Sequence, residues 1–252
     1  IRDSVANTLG IWRNNGNGWE PLGGVVDTKK KTVTAPLDGF GYYAVFALRY
    51  SFDDVVGLYY ARDSVETMYA KGIMEAADPF GDFGVYDRIT RGEFASMLVK
   101  ILDIPLEYDK QNPTFDDVPT FPLPGALWDF KYVETAARKG IVRGTAPRLF
   151  SPGSFIYRED AATMIARALN LKLGNDPEKD LAALQKLFTD ANTIRPDNIS
   201  SVLAVAKKKI ITGIPNALDQ SKTTFRFDPK AELSRADAAV IAERIMRELK
   251  KL

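Results

Sequence analysis

The chain of 252 residues contains neither cysteine nor histidine. Without cysteine there are no disulfides, no thiolate ligands for zinc and no cysteine nucleophile. Without histidine, no imidazole can act as a general base or bind a metal. The sequence also lacks a Gly-Lys-Ser/Thr phosphate loop and a Gly-x-Ser-x-Gly nucleophile turn. These absences exclude most enzyme templates, and we expect no catalytic residue, no cofactor and no metal site.

Neither sign of charge dominates, since Lys and Arg number 34 against 33 for Asp and Glu. We therefore expect no attraction of the whole chain to nucleic acid or to an anionic membrane. Long hydrophobic runs are also missing: no apolar stretch approaches the roughly 20 residues that span a bilayer. The first residues, IRDSVANTLG, show no basic start followed by an apolar run, so we expect a processed or excised piece of a longer protein.

Residues 1–49 have the pattern of a small antiparallel β segment. Short β-prone runs, separated by Gly, Asn and Lys turns, are LGIW, WEPLGG, VVDT, TVTA and GYYAVFAL, which predicts some four strands between Leu9 and Leu48. A sheet of this size is marginal alone. We therefore expect it either to be the tail of an upstream β domain or to pack on the helical part.

The rest of the chain shows helical periodicity, with apolar residues three and four apart. Six such segments occur in three pairs, so we predict a mainly α fold; they are SVETMYAKGI, EFASMLVKIL, YVETAARKGI, DAATMIARAL, VLAVAKKKII and DAAVIAERIM. A further stretch, Gly174 to Lys186, is typical of a loop that enters a short helix.

The three pairs are copies of one unit. Each copy opens with a Phe that is followed by acidic residues, namely Phe52 with Asp53 and Asp54, Phe115 with Asp116 and Asp117, and Phe188 with Asp190. In each copy a second Phe stands eight residues before an Arg that opens the second helix: Phe83 and Arg91, Phe150 and Arg158, Phe227 and Arg235. We expect five of these Phe side chains to be packing residues, namely Phe52, Phe115, Phe83, Phe150 and Phe227.

The residues around the recurring Arg have two possible roles. Thr90 with Glu93, and Ser234 with Asp237, have the spacing of a capping box, which predicts a helix start. An Arg at a helix N-terminus opposes the helix dipole, so its recurrence calls for an anionic partner. That partner could be internal, at Asp54, Asp117 or Asp190, or it could be a ligand carboxylate that Arg clamps with two hydrogen bonds.

This pattern resembles the S-layer homology family, whose signature runs from Phe-x-Asp through a Trp-led helix and Gly-Ile-x-x-Gly to Ile-Thr-Arg-Ala-Glu. The resemblance covers roughly Tyr50 to Leu252, with copies at 50–110, 111–175 and 176–252. The Trp position is Tyr60 in the first copy, Trp128 in the second and Asp197 in the third. The two turn glycines are Gly72 and Ala76, then Gly140 and Gly144, then Lys209 and Gly213, so the second copy is the best match.

The resemblance implies a pseudo-threefold bundle with projecting helices and grooves between adjacent copies. In such grooves the family holds a secondary cell-wall polysaccharide bearing pyruvyl ketals on N-acetylmannosamine. The ligand-binding residues implied for this chain are Arg91, Arg158, Arg235, Trp128, Tyr60, Gly144 and Gly213. The implied role is non-covalent anchoring of a surface or S-layer protein at the cell wall of a Gram-positive bacterium, with any lattice self-assembly through regions outside this chain.

Other interpretations remain open at this point. Trp128 could equally be a core residue. The helical repeats could form a protein-interaction or structural scaffold of an exported glycoside hydrolase, with catalysis outside these residues. The adjacent acidic residues fit a repeated turn better than the carboxylate pair of a glycosidase, and the Asp78 to Asp82 stretch lacks the alternating ligands of a calcium loop.

Overall fold

The computed structural model describes residues 3–37, 39–48, 51–78, 81–216 and 223–252, with the backbone alone for residues 3 and 4. The expected start of the first copy, at residue 50, lies outside the described residues. The chain forms two compact units, one of Ile1–Asp87, Pro124–Leu127 and Ser234–Leu252, the other of Arg88–Leu123 and Trp128–Leu233. Each unit takes elements from more than one sequence copy.

The first unit contains the β segment and two long helices. Its elements are α1 (Asp3–Thr8), β1 (Leu9–Asn14), β2 (Trp19–Gly23), β3 (Val25–Asp27), β4 (Thr32–Thr34), β5 (Tyr42–Ala47), α2 (Arg62–Ala70) and α8 (Arg235–Glu248). An antiparallel sheet has the order β2-β1-β5, and β3 pairs with β4 in a separate ladder. The predicted β segment is confirmed: its described residues form five strands where some four were expected, and α1 was not predicted.

The β segment packs on the C-terminal end of α2. Trp12 meets Tyr69 edge to face at 5.8 Å between ring centroids, and the Nζ of Lys71 donates to the carbonyls of Leu9 and Gly24 at 3.1 Å each. A Cβ at Gly23 would lie 2.2 Å from the carbonyl oxygen of Lys71, so the two backbones touch. Burial lowers the pKa of the Lys71 amine. The small sheet is thus stabilised by the helical part.

The second unit contains the remaining helices. They are α3 (Arg91–Leu102), α4 (Phe130–Arg138), α5 (Arg158–Ala168), α6 (Pro177–Gln185) and α7 (Ile199–Lys207), with two 3-10 turns, Ala191–Thr193 and Pro196–Asn198, before α7 and a short hairpin of β6 (Ile214–Pro215) and β7 (Phe225–Arg226) after it. The six predicted helices are present, and α6 confirms the short helix expected after Gly174. In the described part of the chain, no helix has the length and apolar character needed to cross a bilayer.

Helices pack between copies of the repeat. In the first unit α2 packs against α8; in the second unit α3 packs against α4 and α5 against α7. The first helix of each copy therefore lies against the second helix of a different copy. Each copy is a unit of sequence whose apolar helix faces are buried by its neighbours.

The core of each copy centres on its two Phe side chains, as expected. Phe83, Phe150 and Phe227 are fully buried. Each lies beside the opening Phe of its own copy, at centroid distances of 5.5 Å for Phe52–Phe83, 5.2 Å for Phe115–Phe150 and 5.4 Å for Phe188–Phe227.

The turn after the first helix of each copy requires a residue in the left-handed conformation. Gly72 and Gly140 have φ values of +66° and +70°, and Lys209 adopts +57° at the matching position. A side chain in this conformation costs about 1–2 kcal/mol of backbone strain, which glycine avoids. The third copy therefore carries local strain that the other two lack.

We predict that Lys209→Gly stabilises the protein by about 1 kcal/mol, because it removes this strain at an exposed site. The reverse change, Gly140→Lys, should destabilise by a similar amount, since a Cβ at Gly140 would meet no atom within 4 Å and the effect is conformational alone. Urea unfolding of both variants measures this. Equal effects of the same sign in the two variants would contradict the assignment.

Candidate ligand-binding joints between the repeats

The repeated Asp of each copy binds the backbone of the loop that carries the second Phe. The Asp54 carboxylate accepts from the N–H groups of Phe83, Gly84 and Val85 at 2.8–2.9 Å. In the other copies the pattern recurs: Asp117 accepts from Phe150 and Ser151 at 2.8 and 2.7 Å, and Asp190 accepts from Phe227 and Asp228 at 2.7 Å each. Successive N–H groups aimed at one anion form a nest, and the chain fills each nest with its own Asp.

The residue after each of these Phe side chains has positive φ, which turns the N–H groups toward the Asp. The values are +82° at Gly84, +59° at Ser151 and +59° at Asp228. Sequence analysis missed this loop geometry. The only feature of the sequence that could have predicted this loop is the recurring Asp, because a nest has no fixed residue pattern.

The recurring Arg joins each copy to another copy. The guanidinium carbon of Arg91 lies 4.8 Å from the ring centroid of Phe150, and the Nε and Nη2 of Arg91 donate to the carbonyls of Phe150 and Arg143 at 3.0 and 3.2 Å. Arg158 repeats this arrangement with Phe227 and Thr212, at 2.8 and 3.0 Å. Arg235 lies over Phe83 at 4.8 Å and donates to the carbonyl of Glu75.

We call these three contacts the first joint (Arg91 with residues 128 and 143–153), the second joint (Arg158 with residues 195–198, 212 and 225–230) and the third joint (Arg235 with residues 60, 75 and 83–86). The Arg side chains are buried, with exposed fractions of 8% for Arg91, 7% for Arg158 and 2% for Arg235. Burial, and secondarily the positive charge of Arg195, lower the pKa of Arg91, while Asp117 raises it.

The internal partners of the Arg side chains differ from the alternative considered from sequence. The Asp hydrogen bonds go to backbone N–H groups, and the Arg hydrogen bonds go to carbonyls. Asp117 acts on Arg91 in two ways: its charge raises the pKa of the guanidinium, and its hydrogen bonds hold the loop whose Phe150 carbonyl accepts from Nε. When the partners of an arginine lie in another copy, the spacing of nearby residues does not predict them.

The expected helix caps are present at two of the three helix starts. Thr90 and Glu93 form a complete capping box, with the Thr90 hydroxyl 3.2 Å from the Glu93 N–H and the Glu93 carboxylate 2.7 Å from the Thr90 N–H. The Ser234 hydroxyl accepts from the Asp237 N–H at 3.0 Å.

Within the second unit, the residues just before the three Arg positions form a closed set of backbone hydrogen bonds. The N–H of Ile89 donates to the carbonyl of Leu233, Leu233 donates to Ile156, and Ile156 donates to Ile89, at 2.9, 3.1 and 3.2 Å. Each copy therefore gives one residue to a common backbone contact within this unit.

The first joint combines the Arg with a flat aromatic side chain. The half-buried Trp128 lies against Gly92, the residue after Arg91: a Cβ at Gly92 would be 2.8 Å from the Cγ of the indole. Among the described residues, Nη1 of Arg91 has no hydrogen-bond partner. The Arg143 side chain nearby is exposed and forms no ion pair in the described ranges. This joint thus presents an aromatic ring and cationic groups side by side.

The second joint carries an ion cluster at the corresponding place. Glu159 follows Arg158, and its side chain is 0% exposed. Its carboxylate accepts from the Nε of Arg195 at 2.9 Å, from the backbone N–H of Arg195 at 2.8 Å, and from the Nζ of Lys230. Asp197, which holds the Trp position of the third copy, is exposed.

The third joint has a tyrosine in the aromatic position. Tyr60 is 61% exposed, and its hydroxyl lies 3.4 Å from Oδ1 of Asp237. Burial and the neighbouring Asp237 raise the pKa of Tyr60, with a smaller contribution from Tyr86. Tyr86 is itself 71% exposed.

The two glycines expected at the ligand are closely packed against residues of their own copies. A Cβ at Gly144 would be 2.6 Å from the carbonyl oxygens of Ala146 and Leu149, and one at Gly213 would be 2.7 Å from Cε1 of Phe188. Close packing thus gives a sufficient reason for glycine at both positions.

The chain matches the model of the S-layer homology domain at three tandem stretches, residues 51–95, 114–162 and 187–239. Because these stretches make up more than half of the chain, the chain belongs to the S-layer homology family. The domain is a binding module, and each matched stretch contains one set of the recurring Phe, Asp and Arg residues.

Similar proteins include both S-layer proteins and enzymes. The chain is 28% identical to an amylopullulanase of Thermoanaerobacterium thermosulfurigenes over 89% of this chain and 11% of that protein. It is 30% identical to S-layer protein EA1 of Bacillus anthracis over 82% of this chain and 21% of that protein. It is 28% identical to exoglucanase XynX of Acetivibrio thermocellus over 72% of this chain and 15% of that protein. The chain spans about a tenth to a fifth of these relatives, and the similarities support cell-surface anchoring as its general role.

We predict that Asp117→Asn destabilises the protein by about 2 kcal/mol, because the amide weakens charge-assisted hydrogen bonds to two backbone N–H groups. Asp116→Asn is the matched control, since Asp116 is exposed and bonded to the exposed Arg148, so its midpoint should hardly move. Urea unfolding compares the two variants. Similar losses in both would contradict the role of the nest.

Proposed function

We propose that the chain anchors a larger protein non-covalently to the bacterial cell wall by binding an acidic, pyruvylated secondary cell-wall polysaccharide at the joints between its repeats. The single observation that carries this proposal is the first joint. There Arg91 keeps one guanidinium nitrogen without a hydrogen-bond partner among the described residues, and the half-buried ring of Trp128 lies against Gly92, the next residue along the chain.

The chemistry of a pyruvyl ketal fits this pair of groups. The ketal provides a carboxylate, which a guanidinium favours. The sugar ring to which it is fused provides an apolar face that an indole can cover. A neutral sugar would use the ring alone and leave Arg91 without an anionic partner.

The other residues assigned to ligand binding from sequence remain predictions. Their contacts favour binding less than those of Arg91 and Trp128. Arg235 is nearly covered, Arg158 lies beside an ion cluster, and Tyr60 is exposed next to a carboxylate. Gly144 and Gly213 would bring backbone close to a ligand, in addition to the packing that already requires them.

A pseudo-threefold arrangement of the repeats is part of the same proposal. The closed set of hydrogen bonds among Ile89, Ile156 and Leu233 supports it, since it joins the same position of three copies in a cycle. A ligand polymer repeats its sugar units, so several anchoring domains on one cell surface would hold it with higher avidity than any single contact.

We propose that these residues take no part in catalysis and that any enzymatic activity of the whole protein lies elsewhere. The names of two relatives are those of enzymes, and the match covers 11% and 15% of them. The names of others are those of S-layer proteins of Bacillus, which supports a location at the wall of a Gram-positive bacterium. Lattice self-assembly, where it occurs, would use other regions.

Calorimetric titration with a synthetic pyruvylated N-acetylmannosamine glycoside tests this function. We expect heat with this glycoside and none with the same glycoside lacking pyruvate, because the carboxylate supplies the partner for Arg91. No heat with either, from a folded sample with its native circular dichroism spectrum, would overturn the proposal.

A further inference from the structure

The three joints have different residues at two corresponding positions. These are the residue after the recurring Arg, which is Gly92, Glu159 or Ala236, and the aromatic position, which is Trp128, Asp197 or Tyr60. At the first joint the two are in contact, since a Cβ at Gly92 would overlap the indole of Trp128. A flat aromatic ring over the helix start therefore requires glycine at this place.

At the second joint the chain supplies its own carboxylate to this place. The Glu159 side chain is fully covered, and it is held by the Arg195 guanidinium, the Arg195 backbone N–H and the Lys230 ammonium. The second guanidinium nitrogen of Arg195 pairs with Asp160, also in the first turn of α5. These are the kinds of group that would bind a ligand carboxylate, and all of them already serve internal acids.

A ligand at the second joint would have to displace a group that is covalently tethered. A tethered carboxylate acts at an effective concentration that a dissolved ligand of modest affinity does not reach. Displacement would also leave Glu159 buried and unpaired, which is costly. The exposed Asp197 adds negative charge where the other copies have an aromatic ring.

The third joint has the tyrosine ring of Tyr60 in place of the indole. Ala236 carries the Cβ that glycine avoids at the first joint, and Tyr60 is 61% exposed. The Asp237 carboxylate lies beside the Tyr60 hydroxyl and repels an approaching anion. Arg235, at 2% exposed, is the most covered of the three arginines.

We infer that this chain binds one carboxylate-bearing sugar, at the first joint, and that Glu159 fills the second joint as a built-in substitute for the ligand carboxylate. The inference rests on the proposed function and narrows it. Gly92 and Trp128 determine where binding occurs, whereas Glu159, with Arg195 and Lys230, closes the second joint.

The experiment measures the number of pyruvylated glycoside molecules bound per chain by calorimetry. We expect one for the natural sequence and none for Trp128→Ala. Glu159→Gly combined with Asp197→Trp copies the first joint into the second, so this double variant should bind two. Adding Trp128→Ala to the double variant should leave one. Each sample is checked by circular dichroism and thermal unfolding.

A natural chain that binds two or more molecules, or a folded Trp128→Ala variant that keeps its binding, would overturn the inference while leaving the proposed function intact. A folded double variant that still binds one would also overturn it.

If the double variant does not fold, Glu159→Gln replaces it, because this change keeps the side-chain shape and frees Arg195 and Lys230 from the carboxylate. It should then gain a second, weaker site, and an unchanged count of one would contradict the closure by Glu159. Absence of binding by the natural chain would refute the proposed function and the inference together.

Discussion

A buried arginine, laid over the phenylalanine of another copy and bonded to carbonyls there, is the contact on which the rest of the structure depends. It places the start of one helix against the loop of another repeat at each of the three joints. A guanidinium suits this contact because its flat face stacks on the phenylalanine ring while its N–H groups, which lie in the plane of the guanidinium, donate to the carbonyls. Lysine could satisfy neither geometry with a single ammonium.

The same contact explains how a structural residue can also serve binding. Arg91 uses Nε and Nη2 for the joint, and under the proposed function Nη1 would bind the ligand carboxylate. Its position depends on Phe150, and Phe150 depends in turn on the nest that Asp117 fills. Under the proposed function, binding specificity is built into an interface that the fold needs anyway, and the residues that differ between the joints determine which joint binds the ligand.

Much of the local structure followed from the sequence. The periodicity of the apolar residues predicted the six repeat helices, and the Thr90–Glu93 spacing predicted a capping box that is present in full. The recurrence of Phe, Asp and Arg identified the copies, because local interactions repeat with the sequence. The β segment was likewise expected, together with the alternative that it packs on the helical part, which the Lys71 contacts with Leu9 and Gly24 support.

The partners of the repeated polar residues could not be predicted in the same way. Asp117 and Phe150 lie 33 residues apart, and Glu159 meets Lys230 across a separation of 71, so neither contact has a fixed spacing that a sequence pattern could reveal. Helix pairing between different copies is also invisible, since each copy has the same amphipathic pattern and could bury it against itself or a neighbour. Sequence predicted an anionic partner for Arg91, whereas two of its three guanidinium nitrogens donate to backbone carbonyls.

A crystal structure of the chain bound to the pyruvylated glycoside tests the central claim most directly, that a joint between repeats is also the binding site. The account predicts the ketal carboxylate within hydrogen-bond distance of Nη1 of Arg91 and the sugar ring against Trp128. A ligand bound away from Arg91 and Trp128, or a carboxylate held by other cations, would contradict it.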